Sequence, residues 1–154
     1  MSYYNFFECR VRYDKTLDTG VTKSVTEPYL VDALSFTEAE ARIIEEIRPY
    51  ITGEFSIVAI KREKISESFF NETGDRYFKA KLNYLTLDEK SGTEKKTPVT
   101  FLVQASDITE AKEIVEEEMK STMIDYAFVG ILETKIMDVF LYGEKEDKEQ
   151  QEAD

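Results

Sequence analysis

The chain has 154 residues, of which 42% are hydrophobic, so it can bury one real core but is too short for two ordinary domains. Its formal net charge of −12 disfavours general adhesion to nucleic acid or anionic lipid, although it leaves room for a local basic patch. The chain contains one cysteine and no histidine. These counts exclude internal disulfides, histidine-dependent catalytic triads and histidine-bound zinc.

The sequence predicts a cytoplasmic protein without a membrane partner. We find no signal peptide, and no window approaches the roughly 18 apolar residues of a membrane span. A single cysteine fits a reducing compartment. The glycines are scattered and form no phosphate-binding loop, so no cofactor, metal or catalytic residue is predicted.

The first two strands are predicted from residues 7–13 and 23–33. Apolar and charged residues alternate over 7–13, which is typical of a half-buried strand, and Cys9 is expected to be a small core residue. The sequence LDTG at 17–20 provides a turn. Pro28 lacks an amide donor, so the second strand is predicted to lie at a sheet edge or to break there.

A capped helix and a long strand are predicted next. Ser35 and Glu38 have the spacing of a capping box, and Pro49 with Gly53 marks the helix end. A strand is expected over 55–70. The predicted buried stripe of the helix comprises Phe36, Ala39, Ile43, Ile47 and Tyr50.

The same order of signals then recurs 71 or 72 positions later. YLVDALSFTEAEARIIEE at 29–46 matches FLVQASDITEAKEIVEEE at 101–118, with Asp107 and Glu110 in the capping places. A strand is expected over 126–141. The predicted stripe of the second helix comprises Ile108, Ala111, Val115, Met119 and Met123.

The predicted fold is therefore α+β, an internal duplication of a strand-strand-helix-strand unit, with antiparallel sheets and two helices packed on one layer. Residues 1–142 are expected to form a single domain made of two repeats, 7–70 and 78–141, and residues 143–154 an acidic disordered tail. The turn residues in FFNETGDRYF predict a hairpin between the last strand of the first repeat and the first strand of the second.

Three stretches carry a resemblance to a known family: VTEPYLVDALSFTEAEARI, FFNETGDRYFKAKL and TLDEKSGTEKKT. Over about residues 4–142 the chain resembles the domain of unknown function family 4494, found in Bacteroidota and their tailed phages. The resemblance implies no activity, cofactor or site residue.

Charge placement gives the one candidate binding face. Strand alternation places Arg10 and Arg12 of one repeat, and Tyr77, Lys79 and Lys81 of the other, on sheet faces turned away from the core, whereas the helices are rich in glutamate. Such a face could follow a nucleic-acid backbone while a tyrosine stacks on bases. Alternatively, the cations pair with neighbouring glutamates and have a structural role only.

These observations favour a non-enzymatic cytoplasmic binding or adaptor protein. Its expected partner is another protein, or a second copy that makes a dimer through an exposed sheet edge or face. The alternative is a protein that binds single-stranded DNA or RNA with the basic face and carries an acidic C-terminal tail. A third hypothesis is a small enzyme with a site between the repeats, built from carboxylates and tyrosines.

Overall fold

A computed structural model describes residues 4–142, which divide into two compact units. The first unit contains residues 4–64 together with 135–142, and the second contains residues 65–134. These boundaries differ from those of the sequence repeats, because residues 65–70 of the first repeat lie in the second unit. The predicted acidic tail lies outside the described residues. No helix in the described part is long and apolar enough to cross a membrane.

The described chain contains two helices and eight strands, consistent with the predicted α+β class. In chain order they are β1 (Phe6–Thr16), β2 (Thr22–Asp32), α1 (Phe36–Ile47), β3 (Phe55–Glu63), β4 (Glu67–Phe69), β5 (Arg76–Asp88), β6 (Thr93–Ala105), α2 (Ile108–Lys120), β7 (Tyr126–Glu133) and β8 (Val139–Phe140).

Each unit holds one four-stranded sheet. The order in the first unit is β3-β1-β2-β8, and the order in the second is β7-β5-β6-β4. The long strands pair antiparallel, whereas β8 pairs with β2, and β4 with β6, in parallel. The two sheets thus share one arrangement of strands. Common descent of the two halves by duplication stays a prediction.

Each helix packs against the three long strands of its own sheet. In the first unit the core contains Phe7, Cys9 and Val11 from β1 and Ala39, Ile43 and Ile47 from α1. The second core contains the matching residues, listed in the same order: Phe78, Ala80, Leu82, Ala111, Val115 and Met119. The residues of β1 and β5 that were predicted to point into the core therefore do so.

The predicted helix caps are confirmed. The Ser35 hydroxyl accepts from the Glu38 amide at 3.1 Å, and the Asp107 carboxylate accepts from the Glu110 amide at 2.8 Å. Each glutamate also accepts from the amide of the residue before its cap, Leu34 or Ser106. These contacts satisfy amides that a helix start leaves without partners.

The C-terminal ends of both predicted helix stripes were wrong. Phe36 and Ile108 occupy the first helical positions and are about half exposed, at 52% and 51%, but the Phe36 ring packs edge-on against the buried Phe7. Tyr50 and Met123 lie beyond the last helical residues, where the 3.6-residue period no longer directs a side chain to the sheet, and both are exposed.

The predicted hairpin between the repeats was also wrong. The turn at 71–74 forms, with the Gly74 amide donating to the Asn71 carbonyl at 2.9 Å. The strand before it, β4, pairs with β6 instead of β5, and Phe69 packs edge-on against Phe101. The reason is that β5 already has a partner on each side, β6 and β7, and has no open edge.

The strands predicted over 55–70 and 126–141 are each interrupted. They end as β3 and β7, and the chain then crosses to the other unit before β4 and β8 begin. Both outcomes expected at Pro28 were wrong, because β2 is unbroken and lies between β1 and β8 instead of at a sheet edge. The Pro28 carbonyl accepts from the Met137 amide, so its ring nitrogen also points away from β1 and costs no bond of that ladder.

Candidate functional site

In the first unit the predicted basic residues lie on the sheet face that points away from α1. Arg10 and Arg12 are exposed there, and Lys61 joins them from β3, opposite Glu8 in the strand register. The Arg10 Nε lies 3.0 Å from a Glu8 carboxylate oxygen, and the Arg12 Nε donates to the Ser24 hydroxyl at 3.1 Å. This face therefore carries three cations, at least two acids, Glu8 and Asp14, and neighbouring hydroxyl groups.

In the second unit the corresponding residues are less available. Lys81 is exposed and Lys79 is partly buried, but the Tyr77 side chain is buried, with 7% of its surface exposed. A ring must be exposed to stack on a base, so the role expected of Tyr77 does not fit its position. The predicted face is in fact two faces, each on the sheet of a different unit.

Cys9 is a core residue, as predicted, and not a nucleophile. It is fully buried, and burial raises the pKa of its thiol to about 12, with smaller contributions from the charges of Glu8 and Glu40. Since the thiolate is the reactive form, this thiol is inert near neutral pH.

A tyrosine–carboxylate cluster lies beside this core. Burial raises the pKa of Tyr29 to about 12, followed by the charges of Glu27 and Asp138. The Tyr13 hydroxyl donates to Glu27, and its pKa is also raised to about 12 by burial and by that bond. Raised phenol pKa values keep these groups protonated, so neither phenol supplies a base at neutral pH.

The edges of the two sheets differ in their protection against strand pairing. Two edges are formed by β4 and β8, which have three and two residues and offer little backbone. The third edge, β3, ends in the charged run Lys61, Arg62 and Glu63. The fourth, β7, has no charged residue from Tyr126 to Leu132. Short length, charge and bulges are the usual devices that block edges; β7 has a bulge at Val129, but it is long and has no charge before Glu133.

The backbone of β7 is open on its outer side. The Asp125 carbonyl accepts from Leu85, and the Thr134 amide donates to Tyr77, so these residues face the interior of the sheet. A bulge at Val129 shifts the alternation by one residue. Strand alternation then turns the amides and carbonyls of Phe128 and Ile131 toward the open edge.

A groove of about 470 Å³ runs between the start of α2 and β7. It lies at the open edge of the sheet. The cation at its rim is partly neutralised, because the Lys112 Nζ lies 3.7 Å from Glu116 and 5.7 Å from the centre of the Phe128 ring. The lining residues are Ile108, Thr109, Lys112, Phe128, Val129, Gly130 and Ile131.

The sequence reasoning missed this edge, although a signal was present. The equivalent strands are β3, FSIVAIKRE, and β7, YAFVGILE. Only β3 carries charged residues immediately before its final glutamate. Neither the groove nor the tyrosine cluster offers a metal site. Within residues 4–142 no group of three or more histidine, cysteine, aspartate or glutamate residues could hold an ion.

Comparisons with known proteins identify one relationship. No curated protein matches the chain, and no solved structure does. A family described as a domain of unknown function, DUF4494, matches residues 5–142. This match spans both units and nearly all of the described chain, in agreement with the resemblance seen in the sequence. The chain therefore belongs to the DUF4494 family.

Proposed function

We propose that this protein is a non-enzymatic, cytoplasmic binding or adaptor module that captures an extended segment of a partner protein along β7. The observation that carries the proposal is an open edge strand, without charge from Tyr126 to Leu132, beside a groove of about 470 Å³. An added strand would pair with the outward backbone groups of Phe128 and Ile131. Its alternate side chains would enter the groove beside Ile108.

Net charge favours a different protein over a second copy as the occupant. Two copies would bring together two chains of charge −12, and this repulsion opposes a contact that gains only a few backbone hydrogen bonds. A partner with a neutral or basic segment meets no such repulsion. The matching edge β3 would repel or misalign a strand through Lys61 and Arg62.

The test uses two variants at equivalent bulge positions. Val129 in β7 is 61% exposed and Val58 in β3 is 50% exposed, so a lysine is tolerated at either site without loss of core packing. Random nine-residue peptides displayed on phage would be selected on the wild-type protein. We expect the selected peptides to lose about fivefold or more in affinity with Val129→Lys and to bind Val58→Lys as they bind the wild type.

Three outcomes would overturn the proposal. The first is a selection that enriches no peptide. The second is a set of peptides that bind Val129→Lys as well as they bind the wild type. The third is a wild-type dimer in sedimentation that Val129→Lys dissociates, because the occupant of the edge would then be a second copy.

A specific observation also supports the nucleic-acid alternative. Arg10, Arg12 and Lys61 share one exposed face with the hydroxyls of Ser24, Thr26 and Ser56, and such groups bind phosphate oxygens. Glu8 lies beside Arg10 and Lys61, and Asp14 follows Arg12 on the same face, so both acids reduce the attraction for phosphate.

Binding of single-stranded DNA at low and moderate salt tests this alternative. We expect that replacing both Arg12 and Lys61 by alanine weakens any binding and lowers its salt dependence by about two phosphate contacts. The matched control replaces Lys90 and Lys95, which lie at the tip of the β5–β6 hairpin, by alanine. Absence of binding at low salt would refute the alternative.

A further inference from the structure

Residues 135–142 form a strap that covers the side of β2 turned away from β1. The strand in the strap, β8, contributes two residues to the sheet. Two further backbone bonds join the Leu30 amide to the Asp138 carbonyl at 3.0 Å and the Met137 amide to the Pro28 carbonyl at 2.9 Å. On its other side β2 pairs with β1 along its whole length. Few backbone bonds therefore hold the strap to the sheet.

The core of the first unit does not depend on the strap. Every buried residue of its hydrophobic cluster lies between Phe7 and Ile47, and the strap adds only two partly buried rings, Phe140 and Tyr142. Within the strap only Ile136 is buried, and it is outside that cluster. The strap is outermost in the strand order, so its departure breaks no pairing among β3, β1 and β2. Its opening therefore costs less free energy than unfolding of the unit.

Side chains supply the rest of the attachment. The Phe140 ring stacks on Tyr29, with ring centres 6.0 Å apart and planes inclined by 17°. The Tyr142 hydroxyl donates to a Glu46 carboxylate oxygen at 2.6 Å. Burial, followed by this hydrogen bond, raises the pKa of the Tyr142 phenol, so the hydroxyl stays a donor at neutral pH. The bond to Glu46 therefore fastens the end of the strap to α1.

The receiving site on α1 is held in place without the strap. The Arg42 guanidinium lies 4.0 Å from the centre of the Tyr142 ring. It also donates to the Asp32 carbonyl at 2.6 Å and lies 2.8 Å from the Glu38 carboxylate. Because these two bonds remain when Tyr142 leaves, Arg42 keeps its position and the strap can return to the same site.

We infer that the strap opens and closes independently of the rest of the first unit, and that it is an autoinhibitory strand that denies β2 to other strands while it is closed. Opening frees the Leu30 amide and the Pro28 carbonyl, and residues 28–31 carry no charge. A strand with the sequence of the strap, supplied by another chain, is the occupant that fits this edge, because its side chains match Tyr29, Arg42 and Glu46. The inference is independent of the function proposed for β7.

Amide hydrogen exchange in the full chain, followed by nuclear magnetic resonance at increasing urea concentration, tests the opening. The Leu30 and Met137 amides donate to the strap bonds, whereas the Cys9 and Val11 amides belong to the inner strand β1. We expect the first pair to be protected at least about tenfold less, with a weaker dependence on urea, because opening of the strap exposes less surface than unfolding of the unit. Equal protection and equal urea dependence of the two pairs would overturn the inference.

The variant Tyr142→Phe tests the fastening. It removes a hydrogen bond to a partly buried carboxylate, so exchange of the Leu30 and Met137 amides should accelerate about three- to tenfold. The control Tyr50→Phe removes a hydroxyl from an exposed ring beyond the end of α1 and should leave both rates unchanged. Rates that Tyr142→Phe does not alter would overturn the role of Tyr142.

A peptide with the sequence of the strap tests whether the open edge accepts a strand. The peptide KIMDVFLYGEKE reproduces residues 135–146, and the control peptide KIMDVFLFGEKE lacks the tyrosine hydroxyl. At about 1 mM, which is comparable to the local concentration of a tethered segment, the first peptide should shift the Leu30 and Val31 amide signals of Tyr142→Phe more than those of the wild type. The control peptide should bind about three- to tenfold more weakly. If neither peptide shifts these signals in Tyr142→Phe, β2 accepts no added strand and the autoinhibitory role is refuted.

Discussion

Replacement of Gly74 by alanine should destabilise the protein through a single steric conflict. A Cβ at position 74 would lie 2.5 Å from the Cα and the carbonyl carbon of Ala105, and 2.8 Å from its nitrogen. Ordinary carbon contacts are near 3.5 Å or longer, so the two backbones must separate by about 1 Å. Ala105 is fully buried at the end of β6 and pairs with Arg76, so this separation disturbs both the core and the sheet.

The expected cost follows from these contacts. Overpacking of this kind costs about 1–3 kcal/mol or more, and the conflict here is with backbone atoms that cannot rotate away. Alanine also lowers the conformational entropy of the unfolded state, which offsets about 0.4–1 kcal/mol of this cost. We expect a net loss of about 2 kcal/mol, or a decrease of about 4–8 °C in Tm for a chain of this size.

Gly130 supplies the control for this experiment. Its backbone φ is not positive, and a Cβ there would meet no atom within 4 Å. Gly130→Ala should therefore leave the unfolding free energy unchanged or slightly raised. Urea unfolding followed by circular dichroism would measure both variants. Equal stabilities of Gly74→Ala and Gly130→Ala would refute the reasoning.

The raised pKa values give two further predictions. Cys9 should react with an aromatic disulfide reagent at least about 100-fold more slowly in the native protein than in denaturant, and rapid native labelling would contradict its burial. Tyr29 has a folded pKa near 12, above the unfolded value near 10, so its contribution to stability is complete below about pH 10 and is lost as the pH rises to about 12. Unfolding free energies measured between about pH 9 and 12 should fall less steeply in Tyr29→Phe, and an unchanged slope would count against this assignment.

Local signals in the sequence predicted much of the fold. The helix starts follow from Ser35 and Asp107, whose side chains act within three residues of their own positions. Strand faces follow from alternation, which correctly placed Cys9 in the core. Such features depend on neighbours along the chain, and a single sequence contains them.

Pairing between distant segments was harder to predict. The residues of β4 look like the start of a hairpin, but which strand they join depends on which edge is still open after β5, β6 and β7 have paired. The burial of Tyr77 has the same origin, because alternation assigns a side chain to a face and does not state what covers that face. The lack of charge in β7 could be interpreted only once the strand order showed that β7 lies at a sheet edge.

β4 and β8 each join the sheet formed by the strands of the other sequence repeat. This exchange determines how the protein can be divided into fragments. A gene segment for residues 65–134 encodes all four strands of one sheet in a single uninterrupted piece. A segment cut at the sequence repeat, residues 78–141, would omit β4 and carry β8 away from the sheet to which it belongs. The other sheet is complete only when residue 64 is rejoined to residue 135. The second unit is thus an insertion within the first, and truncation sites are better chosen by strand partner than by sequence similarity.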